Sequence, residues 1–386
     1  MVPPERTVPD RCPGVLAVHE AADGGLARVR LPGGVLSVSQ LQVLTTASVE
    51  LGDGHLELTS RANVQLRALQ PGAPVELSER LYAAGLLPSI THERVRNILA
   101  SPLSGLDQHS RYDVLPLVGE LDRLLCATPG LAALPGRFLF ALDDGRGDLA
   151  SAKADVAVRM LDGQQGELVL AGVATGVQVP AERVVEVMAA AAEAFLSERA
   201  EQESEAWRLG EMEDGPQRVQ KRLGLTSGPT GLQGGSAPAV AGAFGGPRGG
   251  VVVTVPLGVL GAEQARALAE AGSAVRVTPW RSVVVPGGQC AMDGLRRVGL
   301  VLEADSAWNG VTACAGRPGC GKALGDVRGD ARRVVPGWSG GGRVHWSGCE
   351  RRCGKPGGEF VDVVALGGGG YAVDGVAMGV DEVRAQ

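Results

Sequence analysis

The chain has 386 residues, of which 44% are hydrophobic, enough for two or three domains with cores of their own. A formal net charge of −6 and an aromatic content of 3% argue against a nucleic-acid binder, which needs a basic surface and rings that stack on bases. No apolar run reaches the roughly 18–20 residues that span a bilayer, and the N-terminus lacks the apolar stretch of a secretory signal, so we expect a cytoplasmic protein with no membrane partner.

The first part of the chain predicts a small α+β unit. Alternation of polar and apolar residues predicts strands at 27–31, 55–58 and 64–68. Helices are predicted at 37–52 and 76–87, on either side of the last two strands. The resulting order is strand, helix, strand, strand, helix.

A similar unit returns late in the chain, at residues 250–285. Its segment VRVTPWRSVVV (275–285) aligns with LELTSRANVQL (56–66), and the alignment pairs Arg61 with Arg281 if one residue is inserted. Two copies of one module that face each other can build a shared cleft. The sequence therefore predicts a duplicated architecture.

Composition divides the chain into five segments. Between the two copies, strand patterns and a long helix predict a larger α/β domain, followed by a stretch rich in Gly, Ser and Pro. The predicted segments are a first half-domain at 1–80, a first α/β domain at 81–224, a linker at 225–250, a second half-domain at 251–290, and a cysteine-containing domain at 291–386.

Four of the seven cysteines lie near the end of the chain, as C-x5-C and C-x3-C: Cys314, Cys320, Cys349 and Cys353. In a reducing compartment, clustered cysteines favour metal or redox chemistry over structural disulfides. The spacings are wider than the CxxC turns typical of zinc sites and suit thiolates around a [4Fe–4S] cluster, with a zinc site as the alternative. Glycines flank both pairs, so backbone N–H groups can approach the sulfurs.

This cysteine pattern resembles that of the siroheme-dependent nitrite and sulfite reductase family. TSRANVQLR (59–67) resembles that family's T-x-R-x-x-x-Q segment, and RNILASPLSG (96–105) resembles its R-N-x-x-x-x-P stretch. The resemblance implies an α+β fold of duplicated ferredoxin-like modules, each followed by a larger nitrite/sulfite-reductase-type α/β domain. It also implies that the four cysteines hold a [4Fe–4S] cluster.

The resemblance further implies a cationic site for the carboxylates of a tetrapyrrole. Arg61 and Arg96 match cofactor-carboxylate arginines of the reductases, and Gln65 and Asn97 are polar members of the same motifs. Arg67 is a further candidate, because guanidinium groups bind carboxylates in a bidentate manner.

One position departs from the family pattern. The reductases carry two cationic residues that deliver protons to the bound oxyanion. Arg137 matches the first and is a further candidate ligand of the tetrapyrrole carboxylates, but Leu139 stands where the second belongs. Reduction of an oxyanion consumes many protons, so this departure argues against plain sulfite or nitrite reduction.

Within the family, LARVRLPGG (26–34) and VHWSGCERRCGKP (344–356) most resemble the oxygenases of aerobic cobalamin biosynthesis. This implies an O2-dependent monooxygenase that hydroxylates a tetrapyrrole substrate, with lactone formation, while the cluster passes electrons. A further non-heme iron would activate oxygen, and His345 is a candidate ligand as well as a candidate structural histidine. Electrons would come from an external NADH-dependent reductase, because no GxGxxG motif follows a strand.

Two alternatives stay open at this point. The first is a sulfite or nitrite reductase in which siroheme is a prosthetic group and no tetrapyrrole is a substrate. The second is a module stabilised by zinc, or an electron carrier. The length of the duplicated scaffold argues against a small carrier.

Overall fold

The computed structural model describes residues 12–232, 234–235, 239–338 and 342–385, so the start of the predicted first half-domain lies outside the described residues. The first half-domain packs its helices on one face of an antiparallel sheet. Its elements are β1 (His19–Ala21), β2 (Gly24–Val29), β3 (Val35–Ser37), α1 (Val38–Leu51), β4 (His55–Leu58), β5 (Val64–Leu69) and α2 (Ala73–Ala83).

The second region is an α/β domain with a core of its own, in which Phe138, Phe140 and Phe195 are fully buried. Helix α3 of this region buries one apolar face, as an amphipathic helix does. The elements are β6 (Ile98–Ala100), α3 (Leu115–Ala127), β7 (Phe140–Asp143), β8 (Val156–Met160), β9 (Gln165–Leu170), β10 (Val173–Pro180), α4 (Val184–Glu201) and α5 (Gly215–Arg222).

The second half of the chain repeats this plan. Its half-domain comprises β11 (Gly242–Phe244), β12 (Gly250–Thr254), β13 (Val259–Gly261), α6 (Ala262–Ala271), β14 (Ala274–Val277), β15 (Ser282–Pro286) and α7 (Met292–Arg297). The cysteine-containing domain comprises β16 (Val311–Ala313), α8 (Val327–Val334), β17 (Val344–Ser347), β18 (Val361–Gly367), β19 (Gly370–Val373) and β20 (Val376–Gly379). None of the helices in the described part of the chain is long and apolar enough to cross a membrane.

The two half-domains exchange edge strands. The first sheet has the order β1-β2-β5-β4-β13, and the second has the order β11-β12-β15-β14-β3. Strand β13 of the second copy therefore pairs with β4 of the first, and β3 of the first pairs with β14 of the second. One hydrophobic core runs through both copies, so the two half-domains form a single packed unit.

The duplication extends to the backbone of one turn. LPGGVLSVSQ (31–40) aligns with VPLGVLGAEQ (255–264), and in both a proline opens a short 3-10 turn before the edge strand. Gly33 and Leu257 occupy equivalent positions with left-handed φ angles of 64° and 58°. The helix that follows is capped in both copies by a glutamine at its third residue. The shared P-x-G-V-L-x-x-x-Q pattern is further evidence of the repeat, and it lies outside the aligned segments 56–66 and 275–285.

The two larger domains also share a topology. In the sheet β6-β7-β8-β9-β10 the strands β6, β7 and β8 pair in parallel. The pairs β8–β9 and β9–β10 are antiparallel. The sheet β16-β17-β18-β19-β20 has the same arrangement. The predicted architecture, an α+β module followed by a larger α/β domain in each half, is confirmed.

The packed units differ from the predicted segments at their ends. The core of the half-domains includes Leu87, beyond the predicted end at residue 80, and Leu302, beyond the predicted end at residue 290. The second extension arises because α7 and the chain after it pack against α6. The predicted linker at 225–250 contains β11, which pairs with β12.

Candidate functional site

Two adjoining cavities lie where the half-domains meet the cysteine-containing domain. The smaller has a volume of about 260 Å³ and the larger about 710 Å³. Ser60, Arg281 and Gly354 line both, so the two cavities form one cleft. Each half-domain and the last domain contribute to the wall.

Two equivalent loops bring residues of the duplicated modules into this cleft. In the loop after β4, the N–H of Thr59 donates to the carbonyl of Asn63 at 2.9 Å, and in the loop after β14, the N–H of Thr278 donates to the carbonyl of Ser282 at 2.9 Å. Each threonine hydroxyl also accepts from the backbone N–H two residues later. A short polar side chain that bonds its own backbone stabilises such a turn.

The paired turns correct the sequence alignment. Ala62 and Arg281 hold equivalent positions, with left-handed φ angles of 54° and 59°, and their N–H groups donate to the carbonyls of the two threonines. Arg61 is therefore equivalent to Trp280, and no residue is inserted. The alignment of Arg61 with Arg281 is wrong by one position, yet both guanidinium groups line the larger cavity.

Arg61 and Arg281 form no ion pair with any residue in the described ranges, whereas the buried Arg67 and Arg96 do. Asp155 and Glu57 offset the two charges only at longer range. Burial, and then the neighbouring Arg208, lower the pKa of Arg61 to about 10. Burial and Arg328 lower the pKa of Arg281. Uncompensated guanidinium groups in a cleft attract anions, above all planar carboxylates.

Arg67 and Arg96 are engaged within the protein. Arg67 donates to both carboxylate oxygens of Asp23 at 3.0 Å and to the carbonyl of Gly319 at 2.6 Å, and it also lines the smaller cavity. Arg96 is 4% exposed and donates to Asp122 at 2.6 and 2.7 Å. Arg96 is not among the residues that line either cavity. Its assigned role in carboxylate binding stays a prediction that would require this ion pair to open.

The remaining predicted ligands of the carboxylates fall into two groups. Gln65 lines the smaller cavity, where it accepts from Arg28 Nε at 2.9 Å. Asn97 is buried, and its amide donates to the carbonyls of Arg94 and Gly136. Arg137 is exposed and packs over the ring of Trp207 at 4.9 Å, outside both cavities.

Leu139 lies in the wall of the larger cavity and is 3% exposed. The family pattern places a cation at this position, and the apolar side chain here offers no proton. The wall nearby is instead formed by Lys153, Arg208 and Asp148. Proton-bearing groups are thus present, but on other segments.

Sequence reasoning missed several cations of the cleft. Arg28 lines the smaller cavity, whereas Arg30, just after β2, is 2% exposed and is not among the lining residues of either cavity. The Nη1 atom of Arg30 has no hydrogen-bond partner among the described residues, and Nη2 lies 3.2 Å from the sulfur of Cys12. The period-two spacing of Arg28 and Arg30 on a strand was a usable signal, because it places both on one face. Lys153, Arg208, Arg343 and Lys355 lie on loops with no periodic pattern.

The cysteines converge because of the parallel sheet of the last domain. Cys314 directly follows β16, and Cys349 lies just after β17, its parallel neighbour. The carboxyl ends of parallel strands meet at one edge of a sheet, so residues that follow them lie close together. The N–H of Gly348 donates to the sulfur of Cys314 at 3.1 Å, and the N–H of Leu324 donates to the carbonyl of Gly348 at 2.8 Å. These bonds join the two cysteine loops.

Gly348 is required for this closeness. A Cβ atom at Gly348 would lie 2.7 Å from the Cβ atom of Ala323. Partial burial, together with the thiols of Cys314, Cys349 and Cys320, raises the pKa of Cys353. The other three predicted cysteines therefore lie within electrostatic reach of Cys353.

The donor set fits an iron–sulfur cluster. Three thiols act electrostatically on Cys353, a backbone N–H already bonds the sulfur of Cys314, and Cys314 and Cys353 line the smaller cavity. In a cubane each thiolate binds a different iron, so the sulfurs need not converge on one point. Across the described ranges, no three His, Cys, Asp or Glu side chains are grouped as ligands of a single metal ion.

His345 is fully buried beside this region. Its Nδ1 atom is 2.8 Å from the hydroxyl of Thr312, and Nε2 has no hydrogen-bond partner in the described structure. Burial, and then Arg281, lower the pKa of His345 to about 4, so the ring is neutral at pH 7. Its role as a ligand of a further iron stays a prediction.

Comparisons with known proteins agree with this geometry. Residues 19–84 match the nitrite/sulfite reductase ferredoxin-like half domain. A precorrin-3B synthase from Sinorhizobium is 27% identical across 96% of this chain and 83% of its own length. A ferredoxin–nitrite reductase from Synechococcus elongatus is 37% identical over 127 residues, which are 31% of this chain and 25% of that enzyme.

The fold also matches a solved structure. The Mycobacterium tuberculosis NirA protein superposes with a TM-score of 0.76 over 94% of this chain and 79% of its own, at 22% sequence identity. That likeness shows a common fold, with ferredoxin-like half-domains as predicted. With the matched half domain and the relatives above, it makes the chain similar to proteins of the nitrite/sulfite reductase type.

Proposed function

We propose that the cleft binds a carboxylate-rich tetrapyrrole as substrate, and that the chain is an oxygen-dependent monooxygenase that converts precorrin-3A to precorrin-3B. The observation that carries this proposal is the composition of one wall. Cys314 and Cys353 line the smaller cavity together with Arg28 and Arg281. A thiol cluster that shares a cavity with uncompensated cations suits electron transfer to an anionic macrocycle.

The cations define which substrate suits the cleft. Arg61, Arg281, Lys153, Arg343 and Lys355 line the larger cavity, in which Asp148 is the only carboxylate among the described lining residues. Acetate and propionate side chains distributed around a tetrapyrrole would meet guanidinium groups on several sides. A lost charged hydrogen bond typically weakens binding by about 1.5–3 kcal/mol, so several such contacts confer substantial affinity.

Cys314, Cys320, Cys349 and Cys353 would hold a [4Fe–4S] cluster, and this cluster supplies electrons one at a time when bound. The bond of the Gly348 N–H to Cys314 and the contact of Arg67 with Gly319 position the loops that would hold it. The overall reaction consumes O2, two electrons and two protons, and yields the hydroxylated macrocycle and water. The electrons would come from NADH through a separate reductase.

Two observations favour the oxygenase over a reductase. The similarity to precorrin-3B synthase covers 96% of the chain, whereas the nitrite reductase match covers 31%. Leu139 occupies the cavity wall where a reductase would need a cation. In the oxygenase the tetrapyrrole is a substrate, and the site has no oxyanion to protonate.

A siroheme-dependent reductase is the second candidate, and the higher local identity to a ferredoxin–nitrite reductase, 37%, favours it. The absorption spectrum of the purified protein distinguishes the two. We expect a broad iron–sulfur absorption without a siroheme band, and iron and sulfide without stoichiometric zinc. Stoichiometric zinc without iron or sulfide would instead support a zinc-stabilised module.

The activity itself is tested by anaerobic reconstitution with iron and sulfide, followed by precorrin-3A, a reductant and 18O-labelled oxygen. We expect one labelled oxygen atom in a hydroxylated lactone, detected by mass spectrometry. Consumption of sulfite or nitrite by protein that carries siroheme, with no lactone, would overturn the proposal.

A further inference from the structure

Asp148 is a buried carboxyl group in the wall of the larger cavity. It lies on the loop that follows β7, and its side chain is 2% exposed. Its Oδ1 atom accepts from the hydroxyl of Ser101 at 2.7 Å. The proposed function, which uses the arginines and cysteines, assigns no role to Asp148.

The surroundings of Asp148 on its protein side are rich in negative charge. Asp143 ends β7, Asp144 begins the same loop, and Arg146 is the cation within ion-pair distance of Asp148. Arg146 pairs closely with Asp144 and Asp107, both at 2.8 Å, and stands 4.0 Å from Asp148. Arg146 is therefore engaged mainly by other carboxylates.

Asp143 is held in place independently of Asp148. It accepts from the backbone N–H groups of Gly145 and Gly147 at 2.9 and 2.8 Å, and Arg159 lies 3.8 Å away. Burial, and then the charge of Asp143, raise the pKa of Asp148 to about 7. A buried carboxyl near like charges holds its proton to a higher pH than an exposed one.

On its other side Asp148 faces the cavity, whose wall also contains Arg61, Lys153 and Arg208. Leu139 lies in the same wall and has no proton to give. A protonated carboxyl among cations can donate a hydrogen bond to a bound anion, whereas an ionised one repels that anion. The protonation state of Asp148 is therefore coupled to the binding of an anion in the cavity.

We propose that the protonation of Asp148 is coupled to ligand binding: the protonated carboxyl group donates a hydrogen bond to an anionic oxygen of a bound tetrapyrrole. When the pH rises, the Oδ–H proton is lost to solvent, and the ionised carboxylate repels that anion. This inference rests on the proposed function for the identity of the ligand.

The test measures binding of an octacarboxylate porphyrin, a metal-free probe, to the full-length protein by fluorescence, at pH values from about 6 to about 8.5. Porphyrin carboxylates are ionised across this range. We expect the affinity of the wild-type protein to fall as the pH rises through neutrality, approaching about tenfold per pH unit, as one coupled proton requires. Asp148→Asn keeps the acceptor for Ser101 and should make the affinity independent of pH.

Ser101→Ala provides an internal check. The hydrogen bond from Ser101 stabilises the ionised form of Asp148, so its loss should move the midpoint of the pH dependence upward. Circular dichroism verifies that both variants are folded. A pH dependence that persists unchanged in Asp148→Asn, or its absence in the wild-type protein, overturns the inference and leaves the proposed function intact.

A second measurement separates the two proposals. In infrared difference spectra of protein labelled with 13C-aspartate, a carboxylic acid C=O band should disappear as the pH rises through about 7, the pKa of Asp148, and should be missing in Asp148→Asn. If the wild-type protein binds no porphyrin at any pH, the proposed function fails, and the infrared band alone then decides on Asp148. Absence of that band from the wild-type protein overturns the inference.

Discussion

The guanidinium group of Arg67 donates to the carbonyl oxygen of Gly319 at 2.6 Å, across 252 residues of sequence. Arg67 ends the motif of the first half-domain, and Gly319 precedes Cys320 in the last domain. A Cβ atom at Gly319 would lie 2.8 Å from Nη2 of Arg67. This contact therefore fixes the cysteine loop against the wall of the cleft, and it needs a glycine at that position.

Replacement of Arg67 should destabilise the protein. In Arg67→Ala, Asp23 keeps its charge in a largely buried position without its partner, and removing one member of such a pair typically costs about 3–5 kcal/mol. Denaturant unfolding measures the loss. Arg183→Ala, which removes a solvent-exposed pair with Glu186, is the control and should leave the free energy of unfolding nearly unchanged.

Replacement of Arg61 should affect ligand binding, whereas replacement of Arg96 should affect the stability of the fold. Arg61→Ala removes an uncompensated cation and should weaken porphyrin binding by about 1.5–3 kcal/mol, with the iron–sulfur spectrum unchanged. Arg96→Ala leaves Asp122 without its partner and should lower the free energy of unfolding. Equal loss of porphyrin affinity in a folded Arg96→Ala protein would show that Arg96 also reaches the ligand.

The cluster should depend on each of the four cysteines near the end of the chain. Cys353→Ser removes one thiolate ligand, and we expect reconstituted protein to lose iron and sulfide and the associated absorption. Cys290→Ser is the matched control, since Cys290 is exposed and lies in the second half-domain. Retention of a full cluster in Cys353→Ser would remove Cys353 from the ligand set.

Asp148 should also make stability depend on pH. Its pKa in the folded protein is raised to about 7 from an ordinary value of 3.8, so between these values the folded state holds a proton that the unfolded state has lost. The resulting stabilisation is complete below about pH 3.8 and is lost as the pH rises to about 7.

Comparison with Asp148→Asn isolates this contribution. The difference between the unfolding free energies of the variant and the wild-type protein should grow from pH 5 to pH 8 in favour of the variant. A constant difference, measured by urea denaturation at each pH, would contradict the assignment.

The order of strands and helices in the duplicated modules was predictable because it rests on local periodicity. The cysteine set was predictable because its spacing lies in the sequence. The state of each arginine was not, because it depends on distant partners: Asp122 lies 26 residues from Arg96, and Asp23 lies 44 residues from Arg67. The exchange of β3 and β13 was equally hidden, since no local pattern specifies which sheet completes a three-residue edge strand.

That exchange has a consequence for assembly of the polypeptide. Each copy completes the other's sheet by main-chain hydrogen bonds, so a fragment that ends before β11 would present the unpaired edge of β4 to solvent. We expect the two halves, produced separately, to aggregate, and to reconstitute a soluble heterodimer only when they are synthesised together. Main-chain hydrogen bonds between the two halves would then hold the loops after β4 and β14 at their native distance, without a covalent connection.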